Sequence, residues 1–287
     1  MVDMNTSAAP GGAGPGRPTL PVLDTVTAAY RSVFVYPAAW LRIALVPFAV
    51  SIGLVVLMVV LVGDTLMRLA AMRGAPDIDG GPLILAVVLY LGLIACSIAF
   101  ISAWMRHLIT RRPDEPAPIG FRFKSEEWGF LGYGLLLTLI GALIGLVVGF
   151  VGGLLINVLG LERSVAGFVI YMALVYGVLI YVMLRLSLVF PAVSAGETGC
   201  LSQAWSLSRG NVLRLLAALV LITVPYSVGV MLLFYILPIE GMVQGMATGD
   251  FTGGIAVLLV LVIVYMIGYV LGYAGLAHAY RNLRYAG

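Results

Sequence analysis

Six runs without a charged side chain dominate the chain: Ile43–Gly63, Gly80–Met105, Trp128–Leu161, Ser164–Leu184, Leu215–Ile239 and Phe251–Ala277. Each reaches the roughly 20 residues that cross a hydrocarbon core as a helix. In lipid a backbone must satisfy its own polar groups, so runs of this kind predict helices and not irregular chain. Charged residues are 10% of the sequence, well below the roughly 25% of a soluble domain, which excludes a water-soluble globule. The expectation is an all-α polytopic bundle with spans at 43–63, 82–105, 129–151, 165–185, 214–237 and 253–277. The third run is longer than one crossing needs, so its last part, beyond Gly152 and Gly153, is expected to tilt, kink or leave the bilayer.

Residues 1–18, rich in Gly, Ala and Pro, read as a disordered tail ahead of a single transmembrane domain at 19–287. They show no basic segment followed by an apolar core, so no cleavable signal is expected. Cys96 falls in the second span and Cys200 in a loop, and no disulfide is expected between them. With one lysine, Lys124, against fifteen arginines, the basic set suits a GC-rich bacterial genome. A formal charge of +3 gives no reason to invoke nucleic acid.

Basic residues are retained on the cytoplasmic side during insertion. Thirteen of the sixteen lie in the amino-terminal segment, the second and fourth loops and the carboxyl tail. Both termini are therefore expected in the cytoplasm of a bacterial inner-membrane protein. On the same side, Leu23, Val26, Tyr30 and Phe34, and again Leu201, Ala204, Trp205 and Val212, recur at helical spacing. They predict interfacial helices at about 20–36 and 199–211, apolar side toward lipid.

The chain also echoes itself. "VPFAVSIG" from Val46 is matched loosely by "VPYSVGV" from Val224, and the even spans end in "AWMRHL", "VMLRLSL" and "AHAYRNLR", each with an arginine: Arg106, Arg185 and Arg281. Three parallel hairpin repeats would give this pattern. The stretch "RLSLVFPAVSAGETGCLSQAWSLSRGNVLRLLAALV", Arg185 to Val220, resembles bacterial six-span membrane proteins of the YciC type. A related pattern occurs in the membrane domain fused to some glycerophosphodiester phosphodiesterases. The resemblance implies the six-span topology. It carries no catalytic residues, and the phosphodiesterase's soluble domain has no counterpart here.

Gly141, Gly145, Gly149 and Gly153 repeat every fourth position in the third span. Such a stripe opens a groove for close helix packing. Gly268 and Gly272 offer a shorter one in the sixth span, so the third and sixth spans are expected to meet, within one chain or between two. Pro47 and Pro225, in corresponding places of the first and fifth spans, together with Tyr265, Tyr269 and Tyr273 on one side of the sixth, mark a possible solute path. In the second loop Arg111, Arg112, Arg122 and Lys124 suit anionic head groups, and Ser125 is placed to cap the following helix, with Glu126 and Glu127 against its dipole.

Signs of chemistry are sparse. No ionisable group falls at a predicted midplane, where one would mark a functional site, and Arg42, Arg185 and Arg214 near span ends can reach head groups. His107 and His278 lack a metal-binding spacing and read as interfacial. Asp77 and Asp79 in "PDIDGG", with Asp64, read as turn residues, although an acidic outer loop can hold a metal in lipid-linked glycosyltransferases. Ser194 lacks the elbow of a nucleophile. No cofactor is implied. The expected role is non-enzymatic, in assembly or envelope homeostasis, with membrane lipids, other membrane proteins or a second copy as partners; the alternative is a transporter or facilitator for a lipid or small neutral solute.

The orientation has a direct test. Cysteines at Ser7 and Ala117 should be shielded from an impermeant thiol reagent in intact cells, and one at Ala247 should react; the reverse pattern would invert the topology.

Overall fold

The structure, a computed structural model, describes residues 19–70, 80–111, 115–117, 125–161, 164–236 and 251–285. In chain order the helices are α1 (Val22–Phe34), α2 (Pro37–Ala70), α3 (Gly80–Thr110), α4 (Ser125–Val158), α5 (Val165–Ser187), α6 (Val189–Ser194), α7 (Cys200–Leu207), α8 (Val212–Ile236) and α9 (Phe251–Tyr285). No strand occurs among the described residues. Six stretches are long and apolar enough to span a membrane: Pro37–Gly63, Gly80–Thr110, Ser125–Val158, Val165–Ser194, Val212–Ile236 and Val262–Tyr285. The chain is an all-α, multi-pass membrane protein. α4 runs unbroken past Gly152 and Gly153, and at 1.5 Å per residue its length is about 50 Å, well beyond a hydrocarbon core of about 30 Å. The tail at 1–18 and the loop residues Arg112, Arg122 and Lys124 lie outside the described residues.

Consecutive long helices pair as hairpins, α2 with α3, α4 with α5 and α8 with α9. The hairpins meet through the carboxyl ends of the even spans: α3 packs on α9 and on α6, the short continuation of α5, and α6 also touches α9. Trp104, Met105 and Leu108 of α3, Leu188, Val189 and Ala192 of α6, and Ala274, Ala277 and Tyr280 of α9 form this core. Of the most apolar part of each span, 44% is buried within the protein in α9 against 6% in α4 and in α5 with α6. The sixth span is thus central and the α4–α5 hairpin peripheral.

Each of the three echoed arginines reaches out of its own hairpin at the end of the bundle that carries α1. Arg106 of α3 reaches Glu127 of α4 at 3.2 Å and Glu126 at 3.9 Å. Arg185 of α5 reaches α7 and the turn after it. From α9, Arg281 donates to the Leu108 carbonyl of α3 at 3.3 Å. Arg185, in the last turn of α5, is favoured there by the helix dipole, and through α7, the helix that leads into α8, the three contacts complete a ring. The two lead-in helices follow the same cyclic order, α7 packing on α5 and α6, and α1 on α8 and α9.

Within α1 the docked face is Thr25, Ala29, Ser32 and Val33. Leu23 and Phe34 of the predicted stripe point outward, while Val26 and Tyr30 are partly buried. Polar side chains hold α1 down. Ser32 Oγ lies 2.8 Å from His278 Nε2, Asn282 Nδ2 donates to Thr25 Oγ1 at 3.1 Å, and the Tyr30 hydroxyl donates to the Ile222 carbonyl at 2.9 Å. Burial pushes the Tyr30 hydroxyl pKa above its ordinary value. Just before α1, the Leu20 amide donates to Asn211 Oδ1 at 2.9 Å. Asn211 follows Gly210, whose φ of +83° is a conformation that glycine adopts without steric cost.

Three expectations change. His107 and His278 are buried within the protein and not exposed at its surface, with Ser32 of α1 lying against His278. Arg185 is 8% exposed, its guanidinium held against Trp205 and Ser208 instead of extending free of the protein. Ala117 is also buried, so a cysteine there would be shielded in either orientation; exposed Glu115 is the informative position.

The Arg106–Glu127 pair allows a test of the ring. Glu127 is fully buried, and breaking a buried pair leaves an uncompensated charge. Arg106→Gln should cost on the order of 2 kcal/mol of detergent thermal stability, discounted for the partial exposure of Arg106. The double variant Arg106→Met, Glu127→Met should recover much of that loss.

Candidate functional site

Three cavities lie along α9. A cavity of about 170 Å³ between α2, α3 and α9 is lined by Pro47, Phe48, Ser51, Cys96, Tyr265 and Tyr269, among others. Across the tyrosines, between α8 and α9, a second of about 220 Å³ is walled by Thr223, Tyr226, Tyr265, Gly268 and Tyr269. A third of about 420 Å³ continues past Tyr226, Val230, Phe234 and Tyr265. Tyr265 borders all three. Its ring packs at a tilt against Tyr269 with centroids 4.8 Å apart, and Tyr269 likewise against Tyr273 at 5.7 Å. The walls are mostly apolar, with hydroxyls from Ser51, Ser97, Thr223 and the tyrosines as the polar points.

Pro47 lacks the amide that would bond the Ile43 carbonyl, and Pro225 likewise frees the carbonyl of Leu221. Of the residues marked for a solute path, Pro47, Tyr265 and Tyr269 line one cavity. Pro225 and Tyr273 line none of the three. The pattern match between the two prolines therefore does not extend to a shared wall, because α1 takes up the space beside α8 with Tyr30, bonded next to the freed carbonyl.

The glycines serve a purpose the four-residue spacing did not reveal. The Tyr171 hydroxyl of α5 donates to the Gly149 carbonyl of α4 at 3.1 Å, and its ring lies 3.2 Å from where a Cβ on Gly152 would stand. On the other side of the bundle the Tyr226 hydroxyl donates to the Val264 carbonyl at 2.5 Å, with its ring 2.6 Å from a Cβ placed on Gly268. In both cases glycine makes room for an aromatic ring from the neighbouring helix, and the phenol bonds to backbone already engaged within its helix, using the carbonyl's second lone pair. Gly141 faces Met183, while an added Cβ at Gly145, Gly153 or Gly272 would meet nothing within 4 Å. The close α8–α9 approach runs through Gly268 and Gly275, the latter against Ile222; that seven-residue spacing was the signal in the sequence. α4 and α9 are not among the helix pairs in substantial contact, which corrects the expected meeting of the third and sixth spans within one chain.

A second polar cluster sits outside the spans, on the α6–α7 loop. Glu197 accepts from the Gln203 amide and pairs with Arg284 at 3.4 Å. Burial works against its charge, but the nearby Tyr280 hydroxyl, short of full hydrogen-bond geometry, together with Gln203 and Arg284 outweighs this and holds the carboxyl below its ordinary pKa. Burial also pushes the Cys200 thiol up, reinforced by Glu197 and opposed by a backbone hydrogen bond. Cys96 and Cys200 are both free and buried. Ser194 is buried against Met105 Sδ at 3.8 Å. Among the described residues no three His, Cys, Asp or Glu side chains converge; Asp77 and Asp79 lie outside them, and the Asp64 side chain is not described. Arg111 is exposed at the end of α3.

No family model, curated protein or solved structure matches the chain.

The difference between the two glycines of α9 can be measured. Gly268→Ala should displace the Tyr226 ring and cost about 1–2 kcal/mol of detergent stability, whereas Gly272→Ala should lie within about 0.5 kcal/mol of wild type. Equal effects would remove the ring-on-glycine contact as the reason for Gly268.

Proposed function

We propose that the protein is a non-enzymatic component of the bacterial cytoplasmic membrane, with both termini cytoplasmic, that acts in assembly or envelope homeostasis by holding lipid against its helices. The observation that carries this reading is the run of apolar cavities along α9, opening between helices, with Tyr265 as their shared wall. Volumes of a few hundred Å³ suit part of an acyl chain or a small apolar molecule. Scattered hydroxyls from Ser51, Ser97 and Tyr269 can orient an ester or hydroxyl group without demanding a charged one.

The resemblance to six-span proteins of the YciC type is part of this proposal. The residues on which it rests lie close together: Arg185 stacks on Trp205 and reaches Ser208, and Pro191 is buried in α6 between them in sequence. Arg111, with Arg112, Arg122 and Lys124 of the same loop, supplies a cationic patch for anionic head groups on the cytoplasmic side. A second reading, passage of a lipid or small neutral solute, is favoured by one feature, the shared Tyr265 and Tyr269 wall between the cavity on the α2 side and that on the α8 side.

Filling the cavity tests both. Ser51→Leu with Ser97→Leu should abolish retention of co-purifying lipid in native mass spectrometry while leaving the thermal midpoint within a few degrees. If retention is unchanged in the folded variant, the cavity has no part in lipid holding. A drop in solute flux into proteoliposomes, with lipid retention intact, would put passage in its place.

A further inference from the structure

We infer that Arg185, backed by Trp205, is the recognition group of a binding site for an anionic phospholipid head group, engaged through its phosphodiester oxygens.

Arg185 lies in the last turn of α5 and is 8% exposed. Its guanidinium sits 3.5 Å above the centroid of the Trp205 ring, with Tyr181 at 5.8 Å. Nε donates to Ser208 Oγ at 3.3 Å, and Nη2 to the Trp205 carbonyl at 2.8 Å. These contacts hold the group in one plane and orientation, but each is neutral. Arg106, the matching arginine of the first hairpin, has the Glu127 carboxylate; Arg185 pairs with no carboxylate among the described residues. The reason is visible in the sequence. From Val165 to Ile236, covering α5 to α8, the only acid is Glu197, against Arg185, Arg209 and Arg214, and Glu197 is taken by Gln203 and Arg284.

A buried cation without a counter-charge is costly. The helix dipole and the indole face offset part of that cost, and an incoming anion would offset more. The geometry leaves the means to bind one. Nη1 has no protein partner and is not among the polar atoms sealed from outside. A guanidinium with its plane fixed can present a forked pair of N–H groups to phosphate oxygens. The position suits a lipid better than a soluble anion. Arg185 ends a membrane-spanning helix, and Trp205, 43% exposed, is the kind of amphipathic ring that settles at the lipid–water boundary. Arg209 and Arg214 are exposed nearby in the chain and add to the attraction for a negatively charged surface. This site is separate from the α9 cavities and from the second-loop arginines, and stands whether or not those hold lipid.

The test is the thermal midpoint of the full chain in neutral detergent, titrated with short-chain phosphatidylglycerol, short-chain phosphatidylcholine or inorganic phosphate. Phosphatidylglycerol should raise the midpoint of wild type, and phosphatidylcholine should do so far less. Arg185→Lys keeps the charge but loses the fork and the stack, and should weaken the apparent affinity for phosphatidylglycerol about tenfold. Arg31→Gln, at an exposed arginine of α1, is the control for general surface attraction and should leave most of the response. Inorganic phosphate matching phosphatidylglycerol, in a manner that Arg185→Lys weakens, would keep the oxyanion site and assign it to a soluble anion. Absence of any wild-type response, or a response undiminished in folded Arg185→Lys, would leave Arg185 as a purely structural tie between α5 and α7 and overturn the proposal.

Discussion

Three arginines at the carboxyl ends of the even spans hold this molecule together. Apolar side chains gain little by leaving lipid for one another, so hairpins in a membrane need directional contacts to fix their order. Arg106, Arg185 and Arg281 supply them, reaching from α3 to α4, from α5 to α7, the lead-in to α8, and from α9 to α3. The core of α3, α6 and α9 forms where those three ends converge, and the lead-in helices α1 and α7 dock on the same end. The three arginines differ in how their charge is met, by a carboxylate at Arg106, a lone carbonyl at Arg281, and a ring, a hydroxyl and a carbonyl at Arg185. That difference turns one of three equivalent ties into a place where an anion can still be accepted.

Away from that end the helices are held by a second device, a phenol lying on a glycine. Tyr171 over Gly149 and Gly152, and Tyr226 over Gly268, bring a hydroxyl to a carbonyl that already belongs to a helix. Trp104 uses its indole in a related way, donating to the Val270 carbonyl at 3.1 Å. These contacts satisfy the polar ends of aromatic side chains where no water is at hand. They also tie helices at single points and not along their length, which leaves space between them. The cavities beside Tyr265 are a consequence of that sparse pinning.

The functional reading follows from the same economy. The Glu197 carboxylate is committed to Gln203 and Arg284, while the cavities offer apolar walls with isolated hydroxyls. Such a molecule is suited to contact with lipid: chains along α9 and, at the α1 end, head groups near Arg185.

Much of the architecture was legible in the sequence alone. Six uncharged runs determined six spanning helices, because lipid permits no other way to satisfy that much backbone. The arginine echo at the even span ends marked three residues that tie separate elements together, and Pro47, Tyr265 and Tyr269 marked one cavity wall. Tertiary structure decided which glycines matter. A spacing of four in the sequence says that a face is small but not what lies opposite, so Gly145 and Gly272 look equivalent to Gly149 and Gly268 until Tyr171 and Tyr226 are in place. It also decided the burial of His107, His278 and Arg185. Position along a span sets a residue's depth in the membrane, whereas its exposure depends on helices distant in the chain: α1 covers His278, and α7 brings Trp205 beneath Arg185.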